Sequence, residues 1–473
     1  MQDDQFFSPP PMNDKEVRVA NKLQHVPGLV LAHGTGSGKT RTSMQVAEQT
    51  GLNTDVVTPA ALQGNYKKEL LKWYGQVPDN FQIESQQTAA KNGLKHDTRG
   101  GMLVVDEAHK ARDPKSHLLE ALKNSEAKKR LLLTATPVYN HPADIAPLIN
   151  VAADRDVLPE DRTAFSKKFI KDNAVRPSLF GMMMGVKPGT DEQLQDIQPL
   201  RNALKSYVDF EPGKTEGFPE HHEEIIKTPL SQSQQDIYKT IMGRAPMWVR
   251  WKVKHGLPPN KPELRTLQAF LTGARQVANS NYDFIQDKNK VESPKIDAAV
   301  KYLAQHIAQN PRYKGVVYSN YLGSGLMPYK HQLDQQHIPY GEFSGEIGPA
   351  QREQLVKDYN ADKLKALLIS SAGAEGLDLK GTRLLQILEP HFNREKEKQV
   401  IGRAIRYQSH AGLPQDEQNV TVQRYLSQPQ GSWMDKMMGK PVVPGTDEYI
   451  SNMADKKDRL NQQMMDMIAK YST

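Results

Sequence analysis

The run from Gly28 to Thr50 restricts the fold more than any other stretch of the sequence. Gly28–Ala32 (GLVLA) reads as a buried strand. It passes directly into His33-Gly34-Thr35-Gly36-Ser37-Gly38-Lys39-Thr40, after which the pattern is helical. Glycines between a strand and a helix let backbone N–H groups turn inward around phosphate oxygens. Lys39 can reach the β- and γ-phosphates, and Thr40 can hold Mg²⁺. The general pattern has glycine six residues before the lysine, where this chain has His33. The shorter form, G-x-G-K-T, is intact from Gly36 to Thr40. A glycine-rich turn capping a helix is the alternative reading, and the strand before and helix after weigh against it. Thr35, Gly36, Ser37, Gly38, Lys39 and Thr40 are therefore the candidate nucleotide contacts.

About 65 residues further on, Met102–Val105 (MLVV) runs into Asp106-Glu107-Ala108-His109. An acidic pair at the C-terminal end of a buried strand lies where open α/β sheets bind ligands. Asp106 suits ordering of Mg²⁺, and Glu107 suits orienting an attacking water. His109 is placed to link the nucleotide to the next motif. A solvated strand end with a helix-capping aspartate would explain the pair alone, but not its distance from the phosphate loop.

The surrounding pattern predicts a two-part α/β protein. Asp55–Thr58 and Arg130–Leu133 join the two strands above in a first parallel sheet. Gly315–Ser319, Ala366–Ser370, Leu384–Leu388 and Val420–Tyr425 repeat the rhythm in a second. Asn13 caps a helix over 13–24, and Pro9–Pro11 precede it as extended chain. The expected division is 1–150 for the first lobe, 151–292 for a mostly helical insertion without a strong strand, 293–430 for the second lobe and 431–473 for a C-terminal segment. The insertion holds Met182–Met184, Trp248 and Trp251. Met453, Leu460, Met464, Met467, Ile468 and Tyr471 recur at helical spacing and predict packing against a lobe.

Composition narrows the class. At 473 residues the length allows about three domains. The chain has no cysteine, which excludes disulfides, thiolate metal sites and cysteine nucleophiles. No apolar run approaches the roughly 20 residues that span a bilayer, and the acidic, proline-rich start does not read as a signal peptide. An aqueous cytoplasm is the expected setting. The net charge of +7 fits a polyanionic partner or a solvated basic surface equally well.

Together, GTGSGKT and DEAH resemble a superfamily II helicase-like ATPase. The remaining segments resemble its Swi/Snf-like branch, and their order along the chain carries the likeness. Thr134-Ala135-Thr136-Pro137 resembles the motif coupling ATP state to nucleic-acid grip, with Ala135 in place of glycine and Asn140 kept. Val56–Leu70 resembles the branch's nucleic-acid segment, with Pro59, Asn65, Tyr66 and Glu69 in register. Thr228–Tyr238, Ser293–Leu303 and Gly445–Leu460 resemble the protrusion entry, the helix opening the second lobe and a helix bracing the lobes. Ser370–Leu379, including Ser371, Gly376 and Asp378, resembles the motif joining nucleotide and nucleic-acid sites; remodellers often have asparagine at the Asp378 position. Gln399–Arg406 (QVIGRAIR) resembles the arginine-finger helix, with Arg403 and Arg406 reaching the γ-phosphate and Gln399 among the coupling residues. Compact size and the HGTGSGKT wording resemble viral and phage forms.

The resemblance implies two RecA-like lobes, ATP and Mg²⁺ as ligands, and Lys39, Glu107, Arg403 and Arg406 as catalytic residues. Thr40 and Asp106 hold the metal, and His109, Thr134, Thr136 and Gln399 couple ATP state to grip. Thr58, Pro59, Asn65, Lys67, Ser319, Asn320 and Ser371 meet the nucleic-acid backbone. Lys67 and Lys68 read equally as a solvated helix face, and turn polarity would also explain Ser319 and Asn320. An alternative to finger roles for Arg403 and Arg406 is a basic helix face paired with Glu395 or Glu397. The adenine-reading group is not legible beyond Asn13 or Gln24, and no strand-separating wedge is legible. The function expected is a monomeric ATPase translocating on duplex DNA. A helicase acting on RNA or branched DNA, and an ATP-dependent binding factor working with a polymerase or other replication or recombination protein, are the alternatives.

Overall fold

Strand β1 (Gly28–His33) is buried at every position, as an apolar run covered on both faces must be. Its side chains alternate between two cores. Leu29 and Leu31 join one with Val56, Val104 and Leu133, while Val30 and Ala32 join the other with Val57, Val105 and Leu132. Around it stand β2 (Thr54–Thr58), β3 (Phe81–Ser85), β4 (Met102–Val105) and β5 (Lys129–Thr134). After a ribbon of β6 (Ile170–Val175) and β7 (Gly189–Leu194), β8 (Val208–Glu211) completes a parallel sheet of order β3-β2-β4-β5-β1-β8. A second parallel sheet contains β9 (Glu220–Pro229), β10 (Gly315–Ser319), β11 (Tyr340–Phe343), β12 (Ala366–Ser370), β13 (Leu384–Ile387) and β14 (Asn419–Gln428). Its order is β11-β12-β10-β13-β14-β9. Helices flank both sheets, so the class is α/β with two RecA-like lobes.

This computed structural model describes residues 11–96, 98–213, 216–343, 347–370, 378–406, 408–431 and 444–473, with the side chains of Pro349, Lys396 and Arg403 left out. The chain forms two compact units. One comprises Met1–Lys171, Glu192–Thr215 and Arg459–Thr473; the other comprises Asp172–Asp191 and Glu216–Asp458. These edges differ from those expected at 150, 292 and 430, because segments distant in sequence complete each sheet and core. The stretch expected to be helical supplies β8 to one sheet and β9 to the other, along with the β6–β7 ribbon. β9 reads as polar because it is an edge strand whose first four residues are exposed. Helices Gln232–Arg244, Met247–His255 and Glu263–Asn279 do fill much of that stretch.

The first helix, Asp14–Gln24, is capped as expected: Asn13 accepts from the Glu16 N–H while Glu16 accepts from the Asn13 N–H. Asn13 is thereby used as a cap. In the final helix, Thr446–Tyr471, Leu460, Met464, Met467 and Ile468 lie in a core of the first unit. Tyr449 and Ile450 lie in a core of the second. Among the described residues no helix is long and apolar enough to cross a membrane.

Candidate nucleotide site

Where β1 ends, the chain turns at Gly36 (φ 75°) and Gly38 (φ 82°), both in the region that favours glycine. Gly38 precedes helix Lys39–Thr50 without any side-chain cap. The helix's first N–H groups and its positive dipole end therefore face outward. Gly34 is required sterically, since a Cβ there would lie 2.3 Å from the Gly213 nitrogen. Its N–H donates to the Glu211 carbonyl at 2.9 Å, tying the loop to β8. From the first helix, the Lys15 ammonium donates to the Ser37 carbonyl. A trans peptide points its C=O and N–H in opposite directions, so that contact also orients the Gly38 N–H. The Ser37 hydroxyl is buried without a partner among the described residues, and Thr35 and Gly36 are exposed. Lys39 Nζ reaches the Gly34 carbonyl at 3.5 Å. Burial pushes its pKa down, against the pull of Glu107 and Asp106. A buried hydroxyl, a desolvated ammonium and uncapped N–H groups suit a polyphosphate.

His33 replaces the expected glycine without opening the loop. Its fully buried ring bonds through Nε2 to Asp209 Oδ1 at 2.8 Å. Asp209 on β8 also accepts from Arg18 Nε at 3.0 Å and Nη2 at 2.9 Å. Burial raises the Asp209 carboxyl, but the bonds from His33 and Arg18 outweigh it and hold the pKa below the ordinary range. The sequence reading missed this trio and Lys15. A histidine in a glycine position was its one visible signal.

The acidic pair stands at the same edge of the sheet. Asp106 follows β4 and accepts from Thr58 Oγ1 at 3.2 Å and from the Glu107 N–H at 3.0 Å. Burial, then the charge of Glu107, raises its pKa, an environment that suits a cation. Glu107 adopts φ 49°. Burial works to raise its carboxyl, yet the bond and charge of His109, then Lys39, hold it below the usual value. His109 Nδ1 lies 3.3 Å from Glu107 Oε2 and 3.3 Å from Thr134 Oγ1. Thr134 in turn accepts the Thr136 N–H at 3.0 Å. A polar chain therefore runs from Glu107 to the end of β5, the strand between β4 and β1.

Not every expected nucleic-acid contact is surface-facing. Thr58 is fully buried and its hydroxyl supports Asp106, and Pro59 is buried beside it; Asn65 and Lys67 are exposed. In the second unit, Ser319 is also fully buried, donating to Glu389 Oε2 at 2.9 Å. Asn320 donates to Glu389 Oε1 through its backbone (2.5 Å) and side chain (3.0 Å). Thr58 and Ser319 are therefore supports for neighbouring carboxylates, because each is the buried last residue of a strand flanked on both sides in its sheet.

Arg406 differs from expectation in another way. Helix Arg394–Ala404 ends before it, at Ile405 (φ −111°, ψ 89°), so Arg406 lies outside the helix expected to carry it. Ser409 Oγ fixes the following turn by donating to the Arg406 carbonyl at 2.8 Å. Arg406 Nη1 lies 3.5 Å from the exposed carboxylate of Asp378. Glu395 instead accepts from Lys398, and Glu397 pairs with Arg394 and Arg424. Gln399 is exposed on the helix. Ser371, Gly376 and the Arg403 side chain lie outside the described residues.

Comparison with known proteins gives two domain matches, a SNF2-related domain over residues 81–283 and a helicase conserved C-terminal domain over 295–408. A protein of Acanthamoeba polyphaga mimivirus, named as an ATP-dependent RNA helicase, is 30% identical over 93% of both chains. The termination factor NPH-I homolog of African swine fever virus (isolate Tick/Malawi/Lil 20-1/1983) is 22% identical over 93% of this chain and 75% of its own. A solved SWI2/SNF2 ATPase core from Sulfolobus solfataricus, in complex with dsDNA, aligns over 97% of each chain at 14% identity. Its TM-score of 0.37 is too low to bear on fold or function. The phosphate loop and acidic pair at one sheet edge, together with these matches, place the chain in the Swi/Snf-like (SNF2-related) branch of the superfamily II helicase-like ATPases.

Proposed function

We propose that this protein hydrolyses ATP to translocate along duplex DNA. The observation that carries the reading is the convergence of Lys39, the uncapped helix start, Asp106 and Glu107 at the C-terminal edge of one parallel sheet. In this reading the phosphates lie against the Gly36–Thr40 N–H groups, and Lys39 neutralises the transferring end. Thr40 and Asp106 would hold Mg²⁺, which when bound offsets charge on the β- and γ-phosphates. Glu107, kept ionised by His109 and Lys39, orients the attacking water and takes up its proton. His109 and Thr134 carry the state of that carboxylate to the Thr134–Pro137 turn. Arg403 and Arg406 supply positive charge to the transferring phosphoryl group, a contribution worth roughly 10³–10⁵ in rate where arginine fingers act.

Membership of the Swi/Snf-like branch supports duplex DNA as the track, and Asn65 and Lys67 are exposed on the segment that would meet it. Action on RNA is a second reading, favoured by the name of the mimivirus relative. Steady-state ATP hydrolysis, measured alone and with duplex DNA, single-stranded DNA or RNA, decides between them. Stimulation by duplex DNA is expected, together with a loss of about 100-fold or more in Glu107→Gln. Stimulation by RNA alone would replace DNA with RNA as the track. Absence of hydrolysis under all conditions would overturn the enzymatic reading in favour of a binding factor.

A further inference from the structure

The β6–β7 ribbon ends in a short helix, Leu179–Met183, that is apolar on its outer side. Leu179, Phe180 and Met183 are 73%, 61% and 77% exposed, and Met182 and Met184 are also exposed. The tip is nevertheless docked. Val186 is buried, a Cβ on Gly181 would come within 2.9 Å of the Trp251 ring nitrogen, and one on Gly189 within 2.0 Å of the Pro258 carbonyl. Lys261 pairs with Asp172 at 3.0 Å across the base of the ribbon. Exposed apolar side chains on an anchored tip are unfavourable unless something covers them.

Beside the tip runs helix Met247–His255. Arg250, Trp251, Lys254 and His255 occupy one of its faces, since positions four apart stack along a helix. The Phe180 and Trp251 rings are 5.6 Å apart and the Trp251 and His255 rings 4.4 Å apart, forming a continuous aromatic row. Arg176, Arg250 and Lys254 are exposed alongside it. Residues 172–191 and 244–265 contain eight Lys and Arg against three Asp and Glu. Two of those acids, Asp172 and Glu263, are already ion-paired with lysines.

We propose that this face of the second unit binds unpaired nucleotides. Phe180 and the aromatic row behind it take stacked bases, and Arg176, Arg250 and Lys254 neutralise the phosphates. Charge decides the class of partner: cations interleaved with rings match the alternation of phosphate and base in a single strand. The proposal rests on the nucleic-acid reading above and adds a single-strand site to it.

Its test is fluorescence anisotropy without ATP, using labelled 20-mer oligodeoxythymidine and a blunt 20-base-pair duplex. Phe180→Ser/Met183→Ser should bind the single strand about tenfold more weakly, as loss of a stacked base implies, while duplex affinity stays within about twofold. Arg250→Glu/Lys254→Glu should also weaken single-strand binding by about tenfold or more. All four positions are exposed, and melting curves verify the fold. Unchanged single-strand binding in both variants overturns the proposal and leaves the tip to a protein partner; equal losses on both substrates by Phe180→Ser/Met183→Ser overturn it too. If nucleic acid fails to stimulate hydrolysis by the unaltered protein, the translocase reading falls, and the ATP-free binding assay still decides the single-strand site.

Discussion

Glu107 occupies the left-handed region at φ 49°, a conformation that costs an ordinary residue about 1–2 kcal/mol. The turn directs its carboxylate back toward His109 instead of along the strand. His33 raises the complementary question of why a motif glycine can be lost. Its imidazole occupies buried space and bonds to Asp209, so the position is filled, not strained. Restoring glycine should therefore harm the protein. His33→Gly is expected to lose about 2–4 kcal/mol in urea denaturation, from the cavity and the broken bond. Burial in the apolar interior outweighs the bond from Asp209 and pushes the His33 pKa below its ordinary value. The unfolded chain then takes the proton first, and this part of stability falls as pH drops through about 6.5. The gap between wild type and His33→Gly should narrow from pH 7.5 to 5.5; a constant gap would refute the titration. The phosphate loop and acidic pair were legible because backbone chemistry restricts their residue types. Thr58 and Ser319 were not, because a matching segment does not reveal which side chains point inward.

At the scale of elements, the strands of the two six-stranded sheets that sequence patterning missed share one position. β3 and β8 are the two edges of the first sheet, and β11 and β9 are the two edges of the second. Central strands need apolar side chains on both faces and so appear as runs such as GLVLA. Edge strands carry mixed sequences, FQIES, VDFE, YGEF and EHHEEIIKTP, whose polarity hides them. At the β2–β3 edge two acids are buried together, Asp55 and Glu84, each only 4% exposed. Glu84 accepts from the Lys95 N–H at 3.1 and 3.3 Å, while the Asp55 oxygens find no donor among the described residues. Burial, then Glu84, pushes the Asp55 pKa up to about 8. The folded pair thus keeps a proton that an unfolded aspartate releases near pH 4. Its stabilising effect is complete below that pH and is lost as pH rises through the folded value. Asp55→Asn retains a neutral donor and removes the titration. Its Tm advantage over wild type should grow by a few degrees between pH 5 and 8 and level off above. An advantage independent of pH would show that Asp55 is ionised in the fold.

For the whole molecule, two α/β units were legible because each central sheet announces itself through repeated apolar runs, and the last helix through its methionine spacing. The edges of the units were not, because β8, β9 and the Arg459–Thr473 segment complete structures begun far away in sequence. The net charge of +7 has its consequence at this scale too. A translocase that holds backbone phosphates releases counterions when it binds. With roughly six or more phosphate contacts, duplex affinity should fall about 10³-fold between 50 and 200 mM salt. The nucleotide site depends on the partly buried groups Lys39, Asp106 and Glu107, which salt screens far less. ATP hydrolysis titrated with duplex DNA at several salt concentrations separates the two effects. The half-saturating DNA concentration should climb steeply with salt, on a log–log line, while turnover without DNA changes little. A half-saturation point that ignores salt would mean that the track is gripped through something other than its phosphates, and the translocase reading would have to be abandoned.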